Sequence, residues 1–110
     1  MNFDDYQSLA YRTVSHKDNV AAMEYHALHG LSGEVGELHS LYQKAYQGHM
    51  FDEEHAKREL GDILWFLAEY CSAHNWSMSE VAELNIAKLK ARFPDGFSAY
   101  RSLNRAEGDI

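Results

Sequence analysis

The sequence predicts an all-α domain built as a four-helix, bundle-like arrangement of antiparallel helices. Alanine, leucine, glutamate and lysine recur at helical spacing, which favours helices over strands. The chain has one proline and few β-branched residues, a composition that argues against a β-sandwich. Its 110 residues are 45% hydrophobic and 13% aromatic, enough for one folded core. We predict a single domain over residues 1–97 and a polar C-terminal tail over residues 98–110.

Apolar side chains on one side of residues 3–15 predict the first helix. The polar residues 15–19 interrupt the helical pattern and precede a long second helix over residues 20–46. Gly48 is a suitable C-cap for this second helix, because glycine tolerates the left-handed backbone conformation that often ends a helix.

Acidic residues mark the start of the third predicted helix. The segment Asp52–Glu54 places three acids where the helix dipole favours negative charge, and the helix is predicted to reach about His74. The segment Ser77–Glu80 has the spacing of a capping box and predicts a fourth helix that ends near Phe93. Turn residues follow in Pro94–Gly96, where proline stops the helix.

The charge balance and the cysteine content limit the classes of function. The chain carries 17 acids against 10 basic residues, a net charge of −7, which disfavours binding to nucleic acid phosphates. Cys71 is the only cysteine, so no disulfide forms within the chain and we expect a cytoplasmic protein. No apolar run reaches the roughly 18 residues that cross a bilayer, so we expect no membrane partner.

Two pairs of acids at a spacing of three residues carry the functional signal: Glu34 with Glu37, and Glu59 with Asp62. This spacing places both members of a pair on one face of a helix. Six apolar residues follow Asp62, so we expect that carboxylate to be buried and to need a partner. Four acids that converge from two adjacent helices repel one another, and a divalent cation offsets that repulsion. Mg²⁺ suits such a set because it binds carboxylate and phosphate oxygens.

Three glycines interrupt the second predicted helix at a spacing of three: Gly30, Gly33 and Gly36. Each costs about 1 kcal/mol relative to alanine in a helix. Close packing against another helix explains them, and so does the need for room beside Glu34 and Glu37 for a metal–phosphate group. Both explanations can hold.

The two acid pairs and their surroundings resemble a known family. The segments 30–37, 59–65 and 85–96 are similar to the motifs of the MazG-like, all-α nucleoside triphosphate pyrophosphohydrolases. The resemblance covers roughly residues 25–97. It implies hydrolysis of a nucleoside triphosphate between the α and β phosphates, which yields the monophosphate and pyrophosphate. It also implies Mg²⁺, often replaceable by Mn²⁺, bound by four carboxylates: Glu34, Glu37, Glu59 and Asp62.

Catalytic roles follow from the same resemblance. We assign Glu37 and Glu59 to catalysis, and one carboxylate that the metal does not fully occupy accepts the proton of the attacking water. The motif does not identify that carboxylate, and Glu37 is the one we expect.

A polar stripe on the fourth predicted helix is formed by Asn85, Lys88 and Arg92. In the family, the matching asparagine and lysine reach the phosphates, so we predict that the stripe binds substrate. The alternative is that Lys88 and Arg92 only complement the negative end of the helix dipole.

Recognition of the base is the least determined part of the site. We predict that His26 and Trp65 line it, although aromatic side chains at helical spacing are more often core residues. We expect a homodimer or homotetramer, because the family forms oligomers with sites at subunit interfaces.

Two other classes of protein compete with this interpretation. A di-iron carboxylate bundle uses acids from four helices but adds two Glu-x-x-His pairs, and here only Asp52 and His55 come near that pattern. A helical interaction module that does not catalyse a reaction is the second alternative, and the intact set of four acids argues against it.

Overall fold

The computed structural model describes residues 1–110 and confirms the all-α fold class. About 70% of the chain is helical and it has no strand. The chain forms two compact units, Met1–Met78 and Ser79–Ile110. None of the helices combines the length and the apolar composition that a bilayer span needs. The five helices are α1 (Phe3–Tyr11), α2 (Val20–Tyr46), α3 (Glu53–Ala73), α4 (Met78–Arg92) and α5 (Ala99–Leu103).

Helix α3 is the centre of the first unit, because it packs against both α2 and α1. Two clusters of buried side chains form the core, and Trp65 packs against both of them. Most of these buried side chains are small, so the helices approach one another closely. The first cluster consists of Ala10, Ala68, Cys71 and Met78, and the second of Val14, Met23 and Ala73.

Helix α2 begins and ends where the sequence predicts. The side chain of Asn19 accepts a hydrogen bond from the Ala22 amide at 3.0 Å and caps the N-terminus. At the other end, Gly48 has a φ of +103° and the His49 amide donates to the Lys44 carbonyl at 3.0 Å. This arrangement is a Schellman motif, which explains why a glycine follows the helix.

The predicted bounds of α3 are also confirmed. Asp52 caps the helix by accepting a hydrogen bond from the His55 amide at 3.0 Å. Beyond the C-cap residue His74, Asn75 takes the left-handed conformation with a φ of +57°, and the Trp76 amide donates to the Cys71 carbonyl at 2.9 Å. Asparagine therefore ends α3 as glycine ends α2.

The predicted end of the first helix is wrong, because α1 stops at Tyr11 rather than at residue 15. The amides of Thr13 and Val14 bond to carbonyls three residues back, and the Thr13 hydroxyl donates to the Ala10 carbonyl at 2.9 Å. The same hydroxyl accepts the indole N–H of Trp65 at 2.9 Å. These contacts tighten the last turn and give the hydroxyl a tertiary partner.

The second unit contains most of α4, a turn and a fifth helix. Helix α4 ends at Arg92, one residue before the predicted end. The turn predicted at Pro94–Gly96 is present, with a hydrogen bond of 3.2 Å from the Gly96 amide to the Phe93 carbonyl. Helix α5 lies in the segment predicted as a polar tail, and Ser98 caps it. The domain boundary after residue 97 stays a prediction.

The three glycines of α2 have different surroundings. A Cβ atom at Gly30 would overlap the ring of Phe66 on α3, so this glycine permits close packing of the two helices. No atom lies within 4 Å of a Cβ built at Gly33 or Gly36. Close packing therefore explains Gly30, and the need for room beside Glu34 and Glu37 stays a prediction.

This contrast predicts opposite effects of two matched substitutions on the free energy of unfolding. We expect Gly33→Ala to raise it by about 1 kcal/mol, because alanine favours the helix and meets no neighbour. Gly30→Ala should lower it by about 1 kcal/mol or more, because the gain in propensity is smaller than the cost of overpacking against Phe66. Urea denaturation of both variants measures the difference, and a stabilised Gly30→Ala variant would contradict the packing role of this glycine.

Candidate active site

Three carboxylates meet where α2 packs against α3. Glu34 comes from α2, and Glu59 and Asp62 come from successive turns of α3. One oxygen atom from each residue lies within 4.8 Å of the oxygens from the other two. A hard divalent cation such as Mg²⁺ or Mn²⁺ binds oxygen ligands of this kind. The contact between the helices thus brings three of the four predicted metal ligands together.

Glu59 is the most enclosed of the three acids. Its side chain is 12% exposed, and its Oε1 atom lies 3.0 Å from Nε2 of His55, one turn earlier on α3. Its Oε2 atom is buried and has no hydrogen-bond donor beside it. A buried carboxylate oxygen without a partner costs free energy that a bound cation or a proton on a neighbouring carboxyl recovers. The donor set and this unsatisfied oxygen fit a divalent metal ion.

The expected burial of Asp62 is wrong, because its side chain is exposed. The apolar run that follows it is only partly covered, with Leu67 42% exposed. Residues 63–68 of α3 are apolar on all sides of the helix, but α1 and α2 cover only part of that surface within the first unit. An exposed carboxylate at the rim of the group remains accessible to a ligand from solvent.

Glu37 is exposed on α2 and does not belong to the group of three converging oxygens. Its charge still acts on the group, since it is one of the charges that raise the pKa of Glu34. The assignment of Glu37 as a metal ligand and catalytic residue stays a prediction.

Crowding of the acids changes their pKa values in opposite directions. A hydrogen bond with Glu59 raises the pKa of Glu34 to about 7, and partial burial and the charges of Glu59, Asp62 and Glu37 add to the effect. The same hydrogen bond lowers the pKa of Glu59, with a further contribution from His55. The raised pKa of Glu34 favours its protonated form near neutral pH, and a cation bound at the three carboxylates would relieve the same repulsion.

A histidine–carboxylate pair lies on the same two helices. Glu69 on α3 is 1% exposed, and both of its carboxylate oxygens bond to Nδ1 of His26 on α2, at 2.8 and 3.0 Å. His26 is one of the predicted substrate residues, but the sequence interpretation missed Glu69. The sequence feature that could have identified Glu69 is its position as a single acid within the apolar run of residues 63–71.

Trp65 has a structural position. Its indole N–H donates to Thr13, and its ring packs against both core clusters. The edge of the His26 ring lies near this indole, with ring centroids 6.0 Å apart. A contact between Trp65 and substrate stays a prediction.

The predicted phosphate-binding residues lie on α4, in the second unit. Asn85 and Lys88 are exposed. Arg92 binds Asp109 through two hydrogen bonds, from Nε at 2.9 Å and from Nη2 at 2.7 Å. These bonds raise the pKa of Arg92 and lower that of Asp109. A cavity of about 400 Å³ in this unit is lined by four basic side chains: Lys88, Arg92, Arg101 and Arg105.

The one fragment that approached a di-iron motif has another role. The Asp52 carboxylate caps α3, and His55 bonds to Glu59. These two residues therefore do not form the Glu-x-x-His type of ligand pair, which weakens the di-iron alternative.

The pKa of Glu34 predicts how the stability of the metal-free protein depends on pH. Because this pKa lies above the ordinary value of 4.5, Glu34 contributes stability that is complete below pH 4.5 and is lost as the pH rises through 7. Mg²⁺ should therefore raise Tm more at pH 8 than at pH 5.5. Thermal unfolding of the native protein and of Glu34→Gln, with and without Mg²⁺, measures this shift in Tm. Subtracting the shift of the variant from that of the native protein removes the contribution of the histidines. An equal effect of Mg²⁺ at both pH values would contradict the crowding of acids.

Comparison with known proteins agrees with the geometry of the carboxylates. The family model for the MazG nucleotide pyrophosphohydrolase domain matches residues 24–97. No curated protein and no solved structure matches the chain. The matched region contains all three converging carboxylates and covers about two thirds of the sequence. The chain therefore belongs to the family of MazG nucleotide pyrophosphohydrolase domains.

Proposed function

We propose that this protein is a Mg²⁺-dependent pyrophosphohydrolase that converts nucleoside or deoxynucleoside triphosphates to the monophosphate and pyrophosphate. Membership of the MazG family supports nucleotide pyrophosphohydrolase activity in general. The observation that carries the proposal is the convergence of Glu34, Glu59 and Asp62, together with the unsatisfied buried oxygen of Glu59. Mn²⁺ is the expected substitute for Mg²⁺, because it prefers the same oxygen ligands.

The four carboxylates have different proposed roles in the reaction. Glu34, Glu59 and Asp62 would hold the cation, with Glu37 as a fourth ligand or as the proton acceptor. When bound, the cation supplies positive charge that neutralises the polyphosphate and makes a water molecule more acidic. The water oxygen bonds to the α-phosphorus, the bond from that phosphorus to the bridging oxygen breaks, and pyrophosphate leaves. The proton of the water passes to a carboxylate, for which the exposed Glu37 is the proposed base.

We propose that three residues of α4 also bind substrate. Lys88 and Arg92 offer positive charge to the phosphates, and Asn85 offers an amide that donates hydrogen bonds. The basic lining of the cavity beside Lys88 and Arg92 supports this role in a chain whose net charge is −7.

We also propose that the protein works in the cytoplasm as a homodimer or homotetramer. Helix α2 carries three large apolar side chains at a spacing of seven residues, and they are 53%, 51% and 58% exposed. This spacing places them along one side of the helix, where a second copy of the chain can cover them. The three residues are Leu28, Val35 and Tyr42.

Glu59→Gln tests the assignment of the metal ligands. We expect the substitution to lower pyrophosphate release to background, because an amide does not replace the charge of a carboxylate in binding Mg²⁺. Helicity by circular dichroism should stay near that of the native protein. The matched control is Glu54→Gln, which removes an exposed acid from the first turn of the same helix and should keep nearly full turnover.

Two results of this experiment contradict the proposal in different ways. Full activity of Glu59→Gln would remove Glu59 from the site. If the folded native protein released no pyrophosphate from any common or damaged nucleoside triphosphate in Mg²⁺, the proposed reaction would be wrong and a binding module would be favoured.

Light scattering tests the oligomer. We expect a mass of two or four chains at micromolar concentration, and a shift towards the mass of one chain for Leu28→Glu, because a charge in the apolar stripe opposes its burial. Asp18→Glu, an exposed substitution outside the stripe, is the control. A monomeric native protein would contradict the proposal.

A further inference from the structure

Glu69 is the one charged side chain in the buried core of the protein. Transfer of a carboxylate out of water costs several kcal/mol unless hydrogen bonds or an opposite charge compensate it. A well-packed apolar side chain of similar volume at the same place is often as stable or more stable. The retention of an acid here therefore points to a role other than stability, and its contact with His26 indicates which role.

The contact determines the orientation and the tautomer of His26. A carboxylate only accepts hydrogen bonds, so the hydrogen at Nδ1 of His26 must point at Glu69, which lies 2.8 Å away through Oε1 and 3.0 Å away through Oε2. The other ring nitrogen, Nε2, is then free for a further contact. The side chain of His26 is 52% exposed, so one part of the pair is enclosed and the other is accessible.

Two aromatic rings pack against the imidazole of His26. The ring of Phe66 meets it edge-on with centroids 5.5 Å apart, and that of Trp65 does so at 6.0 Å. Phe66 in turn is wedged against Gly30, and Trp65 is anchored by its hydrogen bond to Thr13. The imidazole is therefore a preorganised group rather than a free surface side chain.

The pair lies on the same contact between α2 and α3 as the converging carboxylates. His26 precedes Glu34 by eight residues on α2, a rise of about 12 Å along the helix. Glu69 follows Asp62 by seven residues on α3, a rise of about 10 Å. The pair and the carboxylates thus lie along one contact between helices, and a nucleotide bound along it with its phosphates at the carboxylates would direct its base towards the pair.

We propose that Glu69 is a positioning residue that fixes His26 so that Nε2 forms a hydrogen bond with the polar edge of the substrate's nucleobase. This inference rests on the proposed function and adds to it a determinant of base preference. A site built to hydrogen-bond one base discriminates against bases that leave its polar group without a partner. An ion pair that served stability alone would not change which base is preferred.

The first test compares kcat/KM for the triphosphates of adenosine, guanosine, cytidine and uridine. We expect the native protein to prefer some bases, and Glu69→Gln and His26→Asn each to reduce the ratio between the best and worst base about tenfold. The double variant should lose no more than either single variant, because the two residues act as one unit. His29→Asn, a change of an exposed histidine three residues along α2, is the matched control and should keep the native ratio.

Several outcomes of this assay would overturn the inference. Equal turnover of all four bases by the native protein is one of them, and an unchanged ratio in Glu69→Gln and His26→Asn is another. If Glu69→Gln does not fold, His26→Asn carries the test, because its side chain is half-exposed.

The second test does not depend on turnover. Nitrogen-15 spectra of the imidazoles, recorded while nucleoside monophosphates are added with Mg²⁺, should show a shift at Nε2 of His26 with at least one base and none at His29. In Glu69→Gln this shift should be lost. If the His26 signal does not shift with any nucleotide, the inference is wrong. If the signal shifts but the protein releases no pyrophosphate, only the proposed reaction is wrong.

Discussion

Repulsion between carboxylates at the contact of α2 and α3 is the constraint that governs this protein. Packing of the two helices, with Gly30 against Phe66, forces Glu34 towards Glu59. The acids cannot all be ionised there without cost, so the pKa of Glu34 rises to about 7. A divalent cation at this group would compete with a proton for the same oxygens. The fold thus holds a group of acids whose repulsion a bound cation would relieve.

A comparison of Glu59 with Glu69 shows how one helix uses two acids differently. The buried Oε2 atom of Glu59 has no hydrogen-bond donor within the chain, so a bound ligand would have to compensate its negative charge. Glu69 is more deeply buried, but His26 satisfies both of its oxygens. An unsatisfied acid attracts a cation, whereas a satisfied one orients its partner. If both proposals hold, the same contact between helices supplies one place for a cation and one for recognition of the base.

Local chemistry explains which features could be predicted from the sequence. The bounds of α2 and α3 follow from caps such as Asn19, Gly48 and Asp52, whose effects reach only a few residues. The end of α1 depends on Thr13, which bonds to Trp65 from a distant part of the chain. The burial expected for Asp62 was wrong, since it depends on which neighbours cover α3. Spacing alone identified the two acid pairs, but it could not show that Glu37 lies outside the converging group.

The basic residues of the second unit bear on how an acidic chain attracts a polyphosphate. Four of the ten basic side chains of the whole protein line one cavity in this unit. In that cavity, the Asp109 carboxylate pairs with the Arg92 guanidinium. The guanidinium already meets two oxygens of a carboxylate in a fork, and a phosphate presents the same pair of oxygens. If Arg92 binds a phosphate as proposed, exchange of Asp109 for that phosphate would preserve both hydrogen bonds. Lys88, Arg101 and Arg105 favour that exchange, because they add positive charge that one aspartate does not balance.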